Sequence, residues 1–246
     1  MTTRIAVVTG ASAGIGEATA RALAGAGFHV IVGARRLDRI ERLAGEIGGV
    51  AHSLDVGDAA SVAAFCTVVP GELHLLVNNA GGALGLEPIA DASDENWEWM
   101  FEANVLGLMR MTRTLLSRLK AGRGHVVNVT SIAGRQVYPG GGGYTAAKYA
   151  ARAVTETLRL ELNGTPVRVT DVAPGMVETE FSMVRFAGDA DRAAKVYQGL
   201  TPLAAADIAD CIVWAATRPA HVNIDEIVVK PVAQASATVV ARNAGL

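Results

Sequence analysis

Short runs of β-branched and apolar residues recur along the chain: IAVVT (5–9), HVIVG (29–33), LLVN (75–78), HVVNVT (125–130), VRVTDV (167–172) and EIVVKPV (226–232). They are apolar at successive positions rather than at alternate ones, as strands covered on both faces must be. Between them lie helical patterns such as GEATARALAGAG (16–27) and YAARAVTETLRLEL (149–162). In the second, Ala150, Val154, Leu158 and Leu162 recur every four residues and form an apolar stripe. Strands alternating with helices make βαβ units and hence a parallel sheet with helices on both faces. No Pro/Ser-rich linker, charge run or repeat divides the chain, so residues 1–246 are expected to form one α/β domain. The only low-complexity tract is Gly140–Gly143.

Composition narrows the function. Twenty-two basic and 24 acidic residues give a net charge of -2, which offers nothing to a nucleic acid or other polyanion. Cys66 and Cys211 have neither metal-site nor disulfide spacing, and they read as small apolar residues. No metal site is expected. The N-terminal MTTRIAVVTG enters a strand-like run directly, and no stretch approaches the roughly 18 apolar residues that span a bilayer. The expectation is a cytoplasmic protein with no membrane partner.

The first strand-to-helix turn carries the first chemistry. VVTGASAGIG places Gly10, Gly14 and Gly16 there, with Ser12, Ala13 and Ile15 between them. A dinucleotide pyrophosphate rests on backbone N–H groups at that position, where side chains would block its approach. A tight turn would use the same glycines, and the spacing is not GxGxxG. At the end of the second strand, where NAD-binding folds usually carry an acidic residue, stands Ala34, followed by Arg35 and Arg36. Two guanidinium groups suit a 2′-phosphate that a carboxylate would repel, which points to NADP. A solvated start to the next helix, where Arg39 and Arg42 also fall, would give the same composition.

TGASAGIG (9–16), NNAG (78–81), Ser131 and YTAAK (144–148) together resemble the short-chain dehydrogenase/reductase family over almost the whole chain. The resemblance implies a single-domain Rossmann-type, doubly wound parallel sheet. It makes Tyr144 the general acid/base, with Lys148 lowering its pKa and holding the nicotinamide ribose. Ser131 orients the substrate carbonyl, and Asn104 completes a proton relay. It assigns Asp55 and Val56 to the adenine and Asn79, Ala80 and Gly81 to the adenosine ribose and its surroundings. Pro174, Gly175, Val177 and Thr179 fall to the nicotinamide carboxamide, and about 176–200 to a substrate loop. A homotetramer is implied as well, with the Tyr144–Leu162 helix at an interface.

The chemistry also stands on the residues alone. One helical turn sets Lys148 on the face of Tyr144, and a nearby cation favours the phenolate. Ser131, at the end of a strand, lies at the sheet edge where open α/β folds bind ligands. The glycines 140–143 are expected to leave room beside the substrate. ALGLEP (83–88), TEFSMVRF (179–186) and VNIDEIVVKPVAQ (222–234) resemble NADP-dependent 3-hydroxy acid or serine dehydrogenases. Arg185 could then pair bidentately with a substrate carboxylate, or serve its own loop or the surface. A 3-oxoacyl thioester on a carrier protein and a secondary-metabolite ketone are alternative substrates. A catalytically silent NADP sensor is the alternative of another class.

Overall fold

The computed structural model describes residues 3–243. Seven strands, β1 (Arg4–Thr9), β2 (Phe28–Ala34), β3 (Val50–Ser53), β4 (Leu75–Asn78), β5 (His125–Val129), β6 (Arg168–Pro174) and β7 (Glu226–Val229), form one sheet in the order β3-β2-β1-β4-β5-β6-β7. Every pairing is parallel. The winding reverses between β1 and β4, and ligands of open α/β sheets bind outside the strand ends at such a switch.

Alternate residues of the strands feed two cores. Val8 and Val77 pack with Ala20 and Leu23 of α1 (Gly14–Gly25), Ile40 of α2 (Leu37–Ile47) and Ile208 of α9 (Ala205–Ala216). Val7 and Leu76 face the other way, onto Phe65 of α3 (Ala59–Thr67) and Met111 and Leu115 of α5 (Gly107–Ala121). Both faces are covered, which accounts for the unbroken apolar runs. The rule fails at the edges: β3 and β7 are half-exposed, and the expected 226–232 strand stops at Val229.

Two helices bear on the site. α6 (Gly142–Glu161) starts inside the glycine run, earlier than the stripe suggested. Its buried face is Tyr144, Ala147, Lys148, Ala151 and Thr155, while Ala150, Val154 and Leu158 are only half-buried beside it. α4 (Asp94–Phe101) runs into α5 through a π turn, Glu102–Leu106, with Asn104 at its centre. A buried polar chain ties these layers together. Asn78 Nδ2 donates to Thr112 Oγ1 (3.0 Å) and Asn128 Oδ1 (2.9 Å), and Asn128 Nδ2 donates to Thr155 Oγ1 (2.8 Å). Among the described residues no helix is long and apolar enough to cross a membrane. Cys66 is buried and Cys211 partly so, and neither is paired.

Candidate active site

A cleft of about 1080 Å³ opens at the C-terminal edge of the sheet, over the switch between β1 and β4. All the residues expected at a cofactor or substrate site line it except Gly16 and Asn104. Gly10 and Gly14 adopt φ of +67° and +58°, the left-handed region that glycine enters without strain. Gly16 has a different task. A Cβ there would collide with the Gly10 carbonyl and lie 2.5 Å from Asn79 Nδ2, so it lets the helix close onto the turn.

The NNAG segment braces this turn from below. Thr9 Oγ1 accepts hydrogen bonds from the backbone N–H groups of Asn79 and Ala80, both 3.0 Å. Asn79 Nδ2 donates to Thr9 O (3.0 Å) and Gly10 O (3.3 Å). Asp55 follows β3, and its Oδ1 accepts from Gly57 N at 3.0 Å, shaping its own turn on the cleft wall; Val56 beside it is buried.

At the end of β2, Ala34 leaves the wall low, and the exposed Arg35 and Arg36 follow. Arg36 Nε and Nη2 donate to Ser12 Oγ (3.0 and 2.9 Å). Arg36 Nη1 pairs with Glu180 Oε2 at 2.6 Å, and Arg39 Nη1 with Glu180 Oε1 at 2.8 Å. Glu180 directly precedes α7 (Phe181–Arg185).

At the other end Ser131, Tyr144 and Lys148 line the cleft together. Ser131 caps the turn 132–134, with Oγ accepting from Ala133 N (3.1 Å). Its hydroxyl also reaches Pro174 O, at 3.4 Å. Lys148 Nζ donates to Val129 O at 3.1 Å and lies 5.7 Å from the Tyr144 ring centroid. The lysine therefore sits over the ring face. Burial pushes the Tyr144 phenol well above its usual range, opposed by Ser131 and the Arg185 charge. Burial also brings the Lys148 ammonium down to about 8, opposed by Asp171. Desolvation dominates at this tyrosine, and the charge that opposes it is that of Arg185.

Asn104 is buried behind this wall, not in it. Its Nδ2 donates to Gly82 O (2.9 Å) and Met100 O (2.7 Å), and its Oδ1 accepts from Gly82 N (3.2 Å). These bonds occupy both N–H groups of the side-chain amide and one lone pair of its oxygen. The glycine run also differs from expectation: none of Gly140–Gly143 lines the main cleft. Side chains there would collide with Leu86 O at Gly140, the Tyr138 ring at Gly141 and Met100 Cε at Gly143, and would crowd Trp97 at Gly142. The space is taken by protein rather than left for substrate.

Arg185 is held by other loops. Its Nε donates to Gly85 O (2.9 Å) and Nη1 to Tyr138 Oη (3.0 Å), and its guanidinium stands 5.7 Å from the Tyr144 ring. These bonds use the N–H of Nε and one N–H of Nη1, and the N–H groups left on Nη1 and Nη2 remain for a carboxylate. Tyr138 and Gln234, which sequence reasoning gave no role, also line the cleft, as do Glu180, Phe181 and Tyr197 from the expected substrate loop. Gln234 is 4% exposed and its Oε1 accepts from Met176 N at 2.9 Å, behind Gly175. It closes the segment VNIDEIVVKPVAQ that carries the resemblance, but its contact with Met176 is visible only in the fold.

Residues 4–190 match the family described as short chain dehydrogenase. An uncharacterized oxidoreductase of Mycobacterium tuberculosis is 59% identical over 236 residues, covering 96% of this chain and 94% of the relative. The NADP-dependent 3-hydroxy acid dehydrogenase of Salmonella typhi is 44% identical, covering 95% of this chain and 97% of its own. The solved closed form of a serine dehydrogenase complexed with NADP+ superposes with a TM-score of 0.92 at 41% identity, over 97% of this chain and 99% of that one. The chain belongs to the short-chain dehydrogenase family.

Proposed function

We propose that the protein is an NADP-dependent oxidoreductase interconverting a secondary alcohol and a ketone, with small 3-hydroxy acids as the substrate class. The observation that carries this reading is the convergence of Ser131, Tyr144 and Lys148 at one end of a cleft whose other end is a glycine turn flanked by arginines. The relatives' NADP and 3-hydroxy acid names add to it.

The cleft fits a dinucleotide. Its left-handed glycines keep Cβ atoms away from the α1 N-terminus, where phosphate oxygens would meet backbone N–H groups. In this reading Gly10, Ser12, Ala13, Gly14 and Ile15 hold the pyrophosphate, while Arg35 and Arg36 hold the 2′-phosphate. Asp55 and Val56 flank the adenine, and Asn79, Ala80 and Gly81 the adenosine ribose. Pro174, Gly175, Val177 and Thr179 meet the nicotinamide end, and Lys148 holds its ribose.

NADPH, when bound, supplies the hydride for carbonyl reduction. Tyr144 gives its phenolic proton to the carbonyl oxygen, and burial keeps that proton in place at neutral pH. Ser131 Oγ holds the same oxygen as charge develops on it. Asn104 acts as a positioning residue, fixing Gly82 behind the reaction end. Arg185 pairs with the substrate carboxylate through the N–H groups left on Nη1 and Nη2, and residues 176–200 form the substrate wall through Val177, Phe181 and Tyr197. The unpaired thiols of Cys66 and Cys211 suit a reducing, cytoplasmic compartment.

The test is cofactor choice. Wild-type protein should consume NADPH with 3-oxo acids. Replacing Arg35 and Arg36 with Ala should weaken NADPH by about 30- to 1,000-fold, the worth of lost charge-assisted phosphate bonds, and NADH far less. Equal losses for the two cofactors would remove the 2′-phosphate assignment, and NADPH binding without turnover of any ketone would leave a sensor.

The same reading includes a homo-oligomer, taken as a tetramer. Tyr149 and Leu160 on α6 are 40% and 78% exposed, beside a half-buried Ala150–Val154–Leu158 stripe, and a second copy would cover them. Light scattering at micromolar concentration should report a mass of several chains; a monomer would contradict this.

A further inference from the structure

A charged cluster lies behind the reaction end of the cleft. Asp171 of β6 and Arg135, which follows the turn 132–134, have side chains only 4% and 13% exposed, and neither lines the cleft. Arg135 Nη2 donates to Asp171 Oδ2 and its Nε to Glu226 Oε1 of β7, both at 2.7 Å. One guanidinium thus stands between two carboxylates, and the trio carries one net negative charge.

That charge lies on the Lys148 side of the sheet. Asp171 pairs in register with Asn128, whose side chain bonds Thr155 of α6, so both face that helix. Asp171 Oδ1 accepts from Thr130 Oγ1, and the residue before Thr130 is Val129, whose carbonyl holds Lys148 Nζ. The turn that carries Arg135 closes on α6 at the same place: a Cβ on Gly134 would stand 2.7 Å from the Lys148 carbonyl. The neighbouring charges have other partners. Arg152 and Arg159 of α6 lie around Glu226 and pair with Glu156 and Asp225. Arg185 stands over the Tyr144 ring, whose phenol burial keeps neutral. Glu98 and Glu102 line the cleft, and Glu102 is paired with Arg110. Asp171 is the charge that opposes the effect of burial on Lys148.

We propose that Asp171 is the counter-ion that holds Lys148 protonated, and that Arg135, anchored on Glu226, sets how much of that negative charge the lysine receives. Both are positioning residues, acting through Lys148. Their bearing on turnover rests on the reading above, in which a charged Lys148 serves the nicotinamide end. An opposite charge nearby favours the ionised form, and a buried setting screens it far less than water does. Without Asp171 the buried ammonium gives up its proton closer to neutrality. Without Arg135 the carboxylate acts on it undivided.

The test is a pH titration of the unliganded full chain carrying isotope-labelled lysine side chains, read by NMR. The Lys148 signal is the one missing from Lys148→Met. Asp171→Asn should weaken proton binding at Lys148 by about 3- to 10-fold, moving its midpoint to lower pH. Arg135→Met should move the midpoint to higher pH, and Arg135→Lys, which keeps the cation, should restore it. Opposite directions are the signature, because a packing defect that admits water shifts the lysine alike in both variants. Midpoints that stay put, or move the same way in Asp171→Asn and Arg135→Met, overturn the proposal. If Asp171→Asn does not fold, Arg135→Met decides alone, and an unmoved or lowered midpoint there is fatal. The alkaline limb of kcat/KM should follow the lysine in each variant. A lysine that shifts as described while the limb stays put leaves the counter-ion standing and removes the role of Lys148 in turnover.

Discussion

Tyr144→Phe is expected to lower kcat for carbonyl reduction by about 10²- to 10⁴-fold, the range contributed by a positioned acid or base. The substitution removes one oxygen and keeps the ring against Phe181 and beneath Lys148. Affinity for NADPH should be retained, because the glycine turn and Arg35 are untouched. Steady-state rates with a 3-oxo acid, together with a fluorescence titration of cofactor, separate the two quantities. A folded variant that keeps more than a tenth of wild-type turnover would rule the tyrosine out as the proton donor.

Lys148→Met should move stability and activity in opposite directions. Burial lowers the ammonium from 10.5 to about 8, a cost on the order of 3 kcal/mol whenever both states are protonated. The folded pKa lies below the unfolded one, so the lysine is harmless above 10.5, and its penalty grows as pH falls from 10.5 to about 8 and is fully present below that. At pH 7 methionine should therefore stabilise the protein by about 1–3 kcal/mol in denaturant melts, with the gain vanishing towards pH 10.5. Turnover and NADPH affinity should both collapse, since the ribose contact goes with the charge. In wild type, kcat/KM should decline above about pH 8 as the ammonium is lost. A destabilised Lys148→Met protein, or an unchanged alkaline limb, would mean that the lysine is not held charged against burial.

The interior strands were legible because each buries both faces, and the chain announces that with consecutive Val, Ile and Leu. The edges were not. Burial of 226–232 depends on what lies beside the last strand, and the sign in EIVVKPV that the ladder ends at Val229 was Pro231, which has no N–H to donate. The glycine turn was readable because backbone near a phosphate tolerates few residue types. Gly16, however, has its reason in Asn79, a residue from another strand end. The run Gly140–Gly143 looked like open space for the same cause: Trp97 and Met100, which fill it, lie far away in sequence. Spacing placed Lys148 beside Tyr144 but could not measure burial, and burial decides the direction of the tyrosine's pKa. Nothing in the spacing pairs Glu180 with Arg39; the fold brings α2 to it.

The π turn at Glu102–Leu106 lets one rod obey two masters. α5 has its angular phase fixed by Met111, Leu115 and Leu119 in the core, whereas α4 must aim Trp97 and Met100 at the glycines of α6. Each residue of a regular helix advances about 100° around the axis, so a single set of 3.6-residue turns rarely meets both demands. The wide turn absorbs the mismatch at Asn104, whose amide then grips Gly82. An ordinary helix with the same number of residues would swing Trp97 about a quarter-turn out of register with the glycines. The irregularity works as a gear between two separately tuned halves, each able to drift in sequence while the other holds its aim.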